Sequence, residues 1–352
     1  MFAGRLLAVA ALLSCACVRD TTMPVAEAPE NRGTQLATGE DVTLFGEFGW
    51  SADGQSIYYQ PDIADPPLKL ISLAGGAPQA VDEPRDEYVD LRPAPGGAAI
   101  YFLANERSSR RTAYRLPPGG TATVIGITGT ARAAIPAQGT LLLPSPVTDS
   151  AAVMIAPDSL FMAGAEGRRF ISRTCDRLIA FSPAGDQLLC QRGATTATGH
   201  SIINLTTGDA RQQTLLTESE GSLLMVSWTG AEGLEVFYYG SGAYSIKDVF
   251  AGETTLVWTR PHAATVIDFE HMAWSADAAA VAFWTHVCLD RSTAAGCERG
   301  QSLLHVIDRA NFTDRVVAVA TGTIGGQSMA FSSDGARIAY VFEKGIYHVP
   351  AR

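Results

Sequence analysis

Few side chains in this sequence have both the type and the spacing for covalent chemistry. Ser51 and Asp53, in the stretch GWSADGQSIYY, set a hydroxyl beside a carboxylate, the raw material of a nucleophile and an acid. Gly326-Gln327-Ser328-Met329-Ala330 approaches the G-x-S-x-G elbow of serine hydrolases. Alanine replaces its last glycine, and a strand-like run follows where the elbow needs a helix. The histidines, His200, His262, His271, His286, His305 and His348, form no H-E-x-x-H or other short metal spacing. No glycine-rich phosphate loop opens a helix, and no Asp-x-Asp-x-Asp-Gly calcium loop occurs. The sequence predicts no catalytic residue, no metal and no cofactor.

The Ser-x-Asp-Gly stretch is not unique. WSADGQSIYY at Trp50 recurs as PAPGGAAIYF at Pro93, IPAQGTLLLP at Ile135 and FSPAGDQLLC at Phe181. WTGAEGLEVFYY at Trp228, WSADAAAVAF at Trp274 and FSSDGARIAY at Phe331 complete the set, the third and fifth copies being degenerate. Aspartate can bond to backbone amides two residues on, and glycine accepts positive φ. Repetition therefore assigns Asp53, Asp277 and Asp334 to hairpin corners.

After each corner comes an apolar run, a polar loop, a second run such as LKLISL or SIINL, a turn such as AGGA or TTGD, and a last short run. With the run before the corner, that is four short strands joined by hairpins. Four antiparallel strands repeated about every 40 to 60 residues predict a β-propeller. A lone blade has two apolar faces and buries neither, whereas blades packed around an axis bury both. Seven copies predict an all-β, seven-bladed propeller of four-stranded antiparallel blades over residues 39–352. Too little chain follows Phe331 to finish the last blade. Residues 34–45 are expected to supply its missing strand, closing the ring and covering an edge.

The pattern aromatic-Ser-x-Asp-Gly-x-x-Ile-x-Phe/Tyr resembles the repeats of TolB-type periplasmic propellers. It is also similar to propeller domains attached to prolyl-oligopeptidase-like enzymes. Trp50 to Gly54, Phe181 to Gly185, Trp274 to Asp277 and Phe331 to Gly335 carry the resemblance, which covers about residues 40–352. It implies a fold and leaves activity open, because propellers host many functions. Unlike TolB, the sequence shows no second globular domain before the repeats.

The N-terminus reads differently. MFAGRLLAVAALLSCAC has one cation, Arg5, and an apolar run the length of a signal-peptide core, too short to span a bilayer. Leu12-Leu13-Ser14-Cys15 resembles the bacterial lipoprotein cleavage box, which implies that residues 1–14 are removed and Cys15 carries lipid. An ordinary secretory signal cut nearby is the alternative. Residues 15–38 read as a flexible tether. Ala16 after the cysteine resembles lipoproteins sorted to the outer membrane. The expected location is the cell envelope, on the periplasmic face of the outer membrane, held through the lipid alone.

An oxidising compartment changes the meaning of the other cysteines. Cys288 and Cys297 bracket a polar loop, and Cys175 and Cys190 flank a turn at residues 183–186, so two disulfides are expected. Buried or idle thiols are the alternative, and Cys17 has no assigned role.

The 36 acidic against 26 basic side chains give a formal net charge of −10, which excludes non-specific nucleic-acid binding. Binding is expected at the loops entering each innermost strand and joining the second strand to the third. Asp86, Glu87 and Tyr88 in EPRDEYVD, and Glu270 and His271 in DFEHMAW, are the candidates, with NERSSRR from Asn105 and the loop between Cys288 and Cys297 nearby. The expected function is a monomeric, non-catalytic scaffold for an envelope protein. The alternative is an enzyme, or a small-ligand or metal-binding propeller, with its site at the central channel.

Overall fold

Four hairpin corners of the repeat are each built by one serine oxygen working in both directions. Ser51 Oγ accepts the Ser56 N–H at 2.9 Å and donates to the Asp53 carboxylate at 2.5 Å. Asp53 in turn accepts the Gln55 N–H at 3.0 Å. Ser275 repeats this with Ala280 N–H (2.9 Å) and Asp277 (2.6 Å), and Ser332 with Arg337 N–H (3.0 Å) and Asp334 (2.6 Å). In the fourth copy Ser182 accepts from Gln187 N–H at 3.0 Å and donates to Asp186 at 2.8 Å. The hydroxyls donate to their own carboxylates and hold Asp53 and Asp334 below the usual aspartate range. At Asp277 burial works the other way, but Ser275 and Arg352 outweigh it and bring the carboxyl down to about 2. These are satisfied turns of the kind Ser and Asp favour, and none is a nucleophile.

A computed structural model describes residues 27–39, 41–42, 48–63, 66–85, 87–105, 111–128, 141–155, 159–191, 199–217, 219–229, 233–241, 243–259, 265–275, 277–289, 300–321 and 329–352. They form seven four-stranded antiparallel sheets. In chain order the blades span 49–80, 87–127, 142–172, 177–213, 222–259, 265–321 and 329–350, the last taking a strand from the N-terminus. Within a blade each strand pairs with the next in sequence, so only the first and fourth have a free edge. Register shifts interrupt the inner strand pair in blades 2, 4, 5 and 6. Such bulges bend and twist a strand locally. Among the described residues no helix is long and apolar enough to cross a membrane.

The core is divided among the blade interfaces. Leu68 and Tyr88 belong to the cluster between blades 1 and 2, Val153 and Leu103 to that between 2 and 3, and Cys190 and Met154 to that between 3 and 4. Trp228 and Leu189 lie between 4 and 5, Phe283 and Tyr244 between 5 and 6, Trp284 and Tyr340 between 6 and 7. Trp50, Leu36 and Val341 close the circle between 7 and 1. Seven sheets with seven consecutive interfaces make a ring, the seven-bladed β-propeller expected from the repeat. Where the corner copy starts with tryptophan, the indole can also reach across: Trp50 Nε1 donates to Ala330 O at 2.9 Å and Trp228 Nε1 to Ala180 O at 3.4 Å.

The ring closes as expected and more extensively. Thr34–Gln35 pairs antiparallel with Gly345–Pro350 as the outermost strand of blade 7. Upstream, Asn31 exchanges backbone hydrogen bonds with Val319 of blade 6 at 2.9 and 2.8 Å, and Ala28 bonds to Gln301. Downstream, Val42 bridges to Pro61 of blade 1. From Ala28 onward the expected tether is therefore bound to the ring. The third copy also needs correction. The corner of blade 3 is Ser145 to Asp149, between strands Leu142–Pro144 and Ser150–Ile155, so Pro144 rather than Ile135 takes the position of Trp50.

Candidate functional site

A propeller has two faces, and this chain uses them differently. One carries the hairpin corners and the turns joining third to fourth strands; the other carries the loops expected to bind. Asp86, Cys297 and Cys15 lie outside the described residues. Glu87 opens the inner strand of blade 2, half-exposed, with its carboxylate 3.6 Å from Arg111. Tyr88, its neighbour, does not face solvent: it is 0% exposed. Its ring packs at 5.2 Å against Phe102, and its hydroxyl donates toward Asp82 and the Glu83 carbonyl. Burial and Asp82 push the phenol well above its usual range. The Arg85 guanidinium lies 4.0 Å over Tyr114 and donates to Asp82 at 2.7 Å. Arg85 and Tyr88 of the polar-looking EPRDEYVD segment thus plug the interface of blades 1 and 2, and the buried Tyr88 offers no solvent-facing surface.

Glu270 and His271 fall inside the strand Thr265–Trp274, so DFEHMAW is the inner strand of blade 6 rather than a loop. Their side chains, and that of Cys288 at the end of Ala280–Cys288, are not among those described. Cys175 and Cys190 are both buried free thiols, so the expected disulfide is not formed. They are nonetheless neighbours, and burial first, then Cys190, pushes the Cys175 thiol up. Both sit in the apolar cluster between blades 3 and 4, where they pack as small hydrophobes.

One constellation escaped the sequence. His305 Nε2 lies 2.9 Å from Thr285 Oγ1, and its Nδ1 lies 2.9 Å from Asp314 Oδ1. Trp258 Nε1, from the outer strand of blade 5, donates to the same carboxylate at 3.1 Å. Hydroxyl, imidazole and carboxylate stand in the order of a hydrolytic triad. Thr285 is only 1% exposed, locked between strands, and the imidazole stacks on Phe283 at 5.1 Å. No substrate carbonyl can approach that oxygen, so the array is a polar clamp between blades 5 and 6. Thr285, His305 and Asp314 sit on three successive strands and meet only through hairpin register, which no spacing rule reveals.

The corner face is stitched by ion pairs across blade boundaries. Arg115 and the Tyr101 hydroxyl bind Asp149 between blades 2 and 3, Arg309 grips Glu235 between 5 and 6, and Arg352 reaches Asp277 at 2.5 Å between 6 and 7. Beside the last pair lies a cavity of about 370 Å³. Val306, Ala280 and Ala351 line it, with Arg309, Arg315 and Arg352 around them. Each guanidinium is engaged, Arg315 with the Ala351 carbonyl at 2.5 Å. Among the described residues no three His, Cys, Asp or Glu side chains gather as metal ligands would.

No protein-family model matches this chain, and no curated protein matches its sequence. Its fold has solved counterparts. The β-propeller domain of Cps50 (Swd1) from Myceliophteria thermophila aligns with a TM-score of 0.57 and 14% identity, over 92% of this chain and 100% of that one. The C-terminal WD40 domain of Sif2 gives 0.51 and 14%, over 87% and 80%. A chain of Kuenenia stuttgartiensis hydrazine synthase gives 0.55 and 14%, over 90% and 99%. TolB from Acinetobacter baumannii reaches only 0.45 at 14% identity, over 84% of this chain and 64% of that one. Identities this low show a β-propeller and no more, and a fold by itself does not fix a function.

Proposed function

We propose that this chain is a lipoprotein of the cell envelope, anchored through Cys15, whose seven-bladed propeller is a non-catalytic scaffold for another envelope protein. The supporting observation is the fate of its reactive-looking groups. The repeated Ser–Asp pairs are consumed in hairpin corners, and the Thr285–His305–Asp314 array is sealed between strands. What the described part of the ring offers to other molecules is surface. Reversible cross-linking in cells followed by pull-down should recover one reproducible partner, and repeated recovery of none would sink the scaffold reading. Anchoring is tested separately: Cys15→Ala should move the protein from the membrane fraction to the soluble one.

A small-ligand propeller is the second reading, and the arginine-rimmed cavity between blades 6 and 7 is the observation in its favour. Native mass spectrometry of the purified protein, with elemental analysis, should show no bound mass beyond the lipid-bearing chain if the scaffold reading holds. A stoichiometric small molecule or metal would replace it.

A further inference from the structure

Four arginines, Arg168, Arg169, Arg173 and Arg177, fall within ten residues of a chain whose net charge is −10. Two of them lie on the strand Gly167–Ser172, the outermost of blade 3, which pairs with Ser159–Gly164; among the described residues no strand pairs with its other edge. Residues 167–170 are all exposed. Phe170, in their midst, is 50% exposed and meets Phe161 edge-on at 5.6 Å, with Arg168 at 5.6 Å over the Phe161 ring. Arg168 and Phe170 share one face of the strand, Arg169 takes the other, and Arg173 stands just past its end. Among the described residues no ion pair engages Arg168, Arg169 or Arg173, whereas Arg309 and Arg352 on the corner face are paired.

An open strand edge presents unpaired N–H and C=O groups and templates another strand. Charge on such an edge often serves only to keep copies apart. Here it does that and also selects: a second copy would bring the same arginines and be repelled, while an acidic strand would be attracted. An exposed phenylalanine is the opposite of a guard, since it adds apolar surface where one would remove it. The ring already accepts extra backbone at a blade edge, because Asn31 docks on Val319 of blade 6 by two hydrogen bonds. We propose that the outer edge of blade 3, Gly167–Ser172, is a docking strand for an extended acidic segment of a protein partner. Arg168, Arg169 and Arg173 take its carboxylates, and the Phe161–Phe170 pair takes one apolar side chain. This assignment rests on the scaffold reading and names its surface and partner chemistry.

The test uses the full mature chain and two fluorescent heptapeptides, one alternating glutamate with valine and one alternating lysine with valine. Fluorescence anisotropy at low salt should show the glutamate peptide binding at least about tenfold tighter, with the gap narrowing as salt screens the charges. The double variant Arg168→Glu, Arg169→Glu should reverse the preference, and Phe170→Ser should weaken both peptides several-fold. Circular dichroism and melting temperature confirm that the variants fold. Equal binding of the two peptides, no binding of either, or an unchanged preference in the charge-reversed protein overturns the proposal. So does binding to phosphatidylglycerol vesicles that depends on these arginines without any binding of the glutamate peptide. If the charge-reversed protein still recovers the cross-linked cellular partner, the scaffold reading stands and this strand falls. Intact peptide selectivity with no cellular partner gives the converse.

Discussion

Gly33 is the tightest point of the ring closure. It sits at φ +72°, and a Cβ built there would meet the His348 carbonyl oxygen at 2.6 Å, with Val349 Cγ1 nearer still. His348 is the residue that Thr34 pairs with, so the clash falls on the closing ladder itself. In Gly33→Ala, the left-handed backbone costs roughly 1 kcal/mol. The carbonyl cannot rotate away, so the strand must shift and weaken its short ladder, adding about 2 kcal/mol. Unfolding entropy near 2.1 cal/mol/K per residue makes a total of about 3 kcal/mol equal to a melting shift of roughly 4 °C for a ring of this size. Gly39 is the control, with φ +74° and nothing within 4 Å of its Cβ, so Gly39→Ala should cost only the backbone share. Differential scanning calorimetry reads the shift, and limited proteolysis should cut Gly33→Ala first within residues 27–36. Equal melting temperatures for Gly33→Ala and Gly39→Ala would show that the close approach is not what binds the strand.

His200 is 1% exposed, and burial lowers its pKa from 6.5 to about 4. Its unfolded form binds the extra proton between those values, so stability is complete above pH 6.5 and falls as the pH drops toward 4. At pH 5 the loss is about 2 kcal/mol, and urea titrations of His200→Leu should show a flatter pH profile. Asp149 is held below the usual carboxylate range, first by Arg115 and then against burial by Tyr101. Its contribution is present above the ordinary aspartate pKa and is lost as the pH falls through its lowered folded value. Asp149→Asn should cost about 1–2 kcal/mol at neutral pH and remove that acid dependence, checked by the same titrations. Cys175 and Cys190 are buried thiols, so a water-soluble thiol reagent should leave both unmodified in the native protein and label both after denaturation. Labelling neither after denaturation would show that they are joined.

The ring was legible because its information is periodic. The Trp50, Pro93, Phe181, Trp274 and Phe331 copies each mark an observed corner, since each keeps some of the Ser, Asp and Gly that favour a tight turn; in the Trp274 copy Ala278 takes the positive φ. Blade 3 misled because its corner, Ser145 to Asp149, keeps the serine but has neither the aspartate two residues on nor a glycine. Ser145 Oγ accepts the Val147 and Thr148 N–H groups at 3.3 Å instead, and the copy placed at Ile135, with its Gly139, lies outside the described residues. The binding candidates were harder to read. Tyr88 sits among charges in sequence, yet the run Tyr88-Val89 already alternates into a strand whose partners, Phe102 and Tyr114, are strands away. Exposure depends on which blade covers a residue, and that is a property of the closed ring.

The N-terminal segment has a further consequence, for the order of assembly. Thr34 leaves the ribosome long before its partner His348 is made. Blades 1 to 6 can each form a sheet as they appear, but the closing interface must wait for blade 7. Contacts so distant in sequence are slow to form and leave an unpaired edge exposed meanwhile. If the chain crosses a membrane during synthesis, blade 7 spends that interval one strand short. Whatever receives the emerging chain must keep the open edge of Gly345–Pro350 from other strands until residues 31–36 return to it.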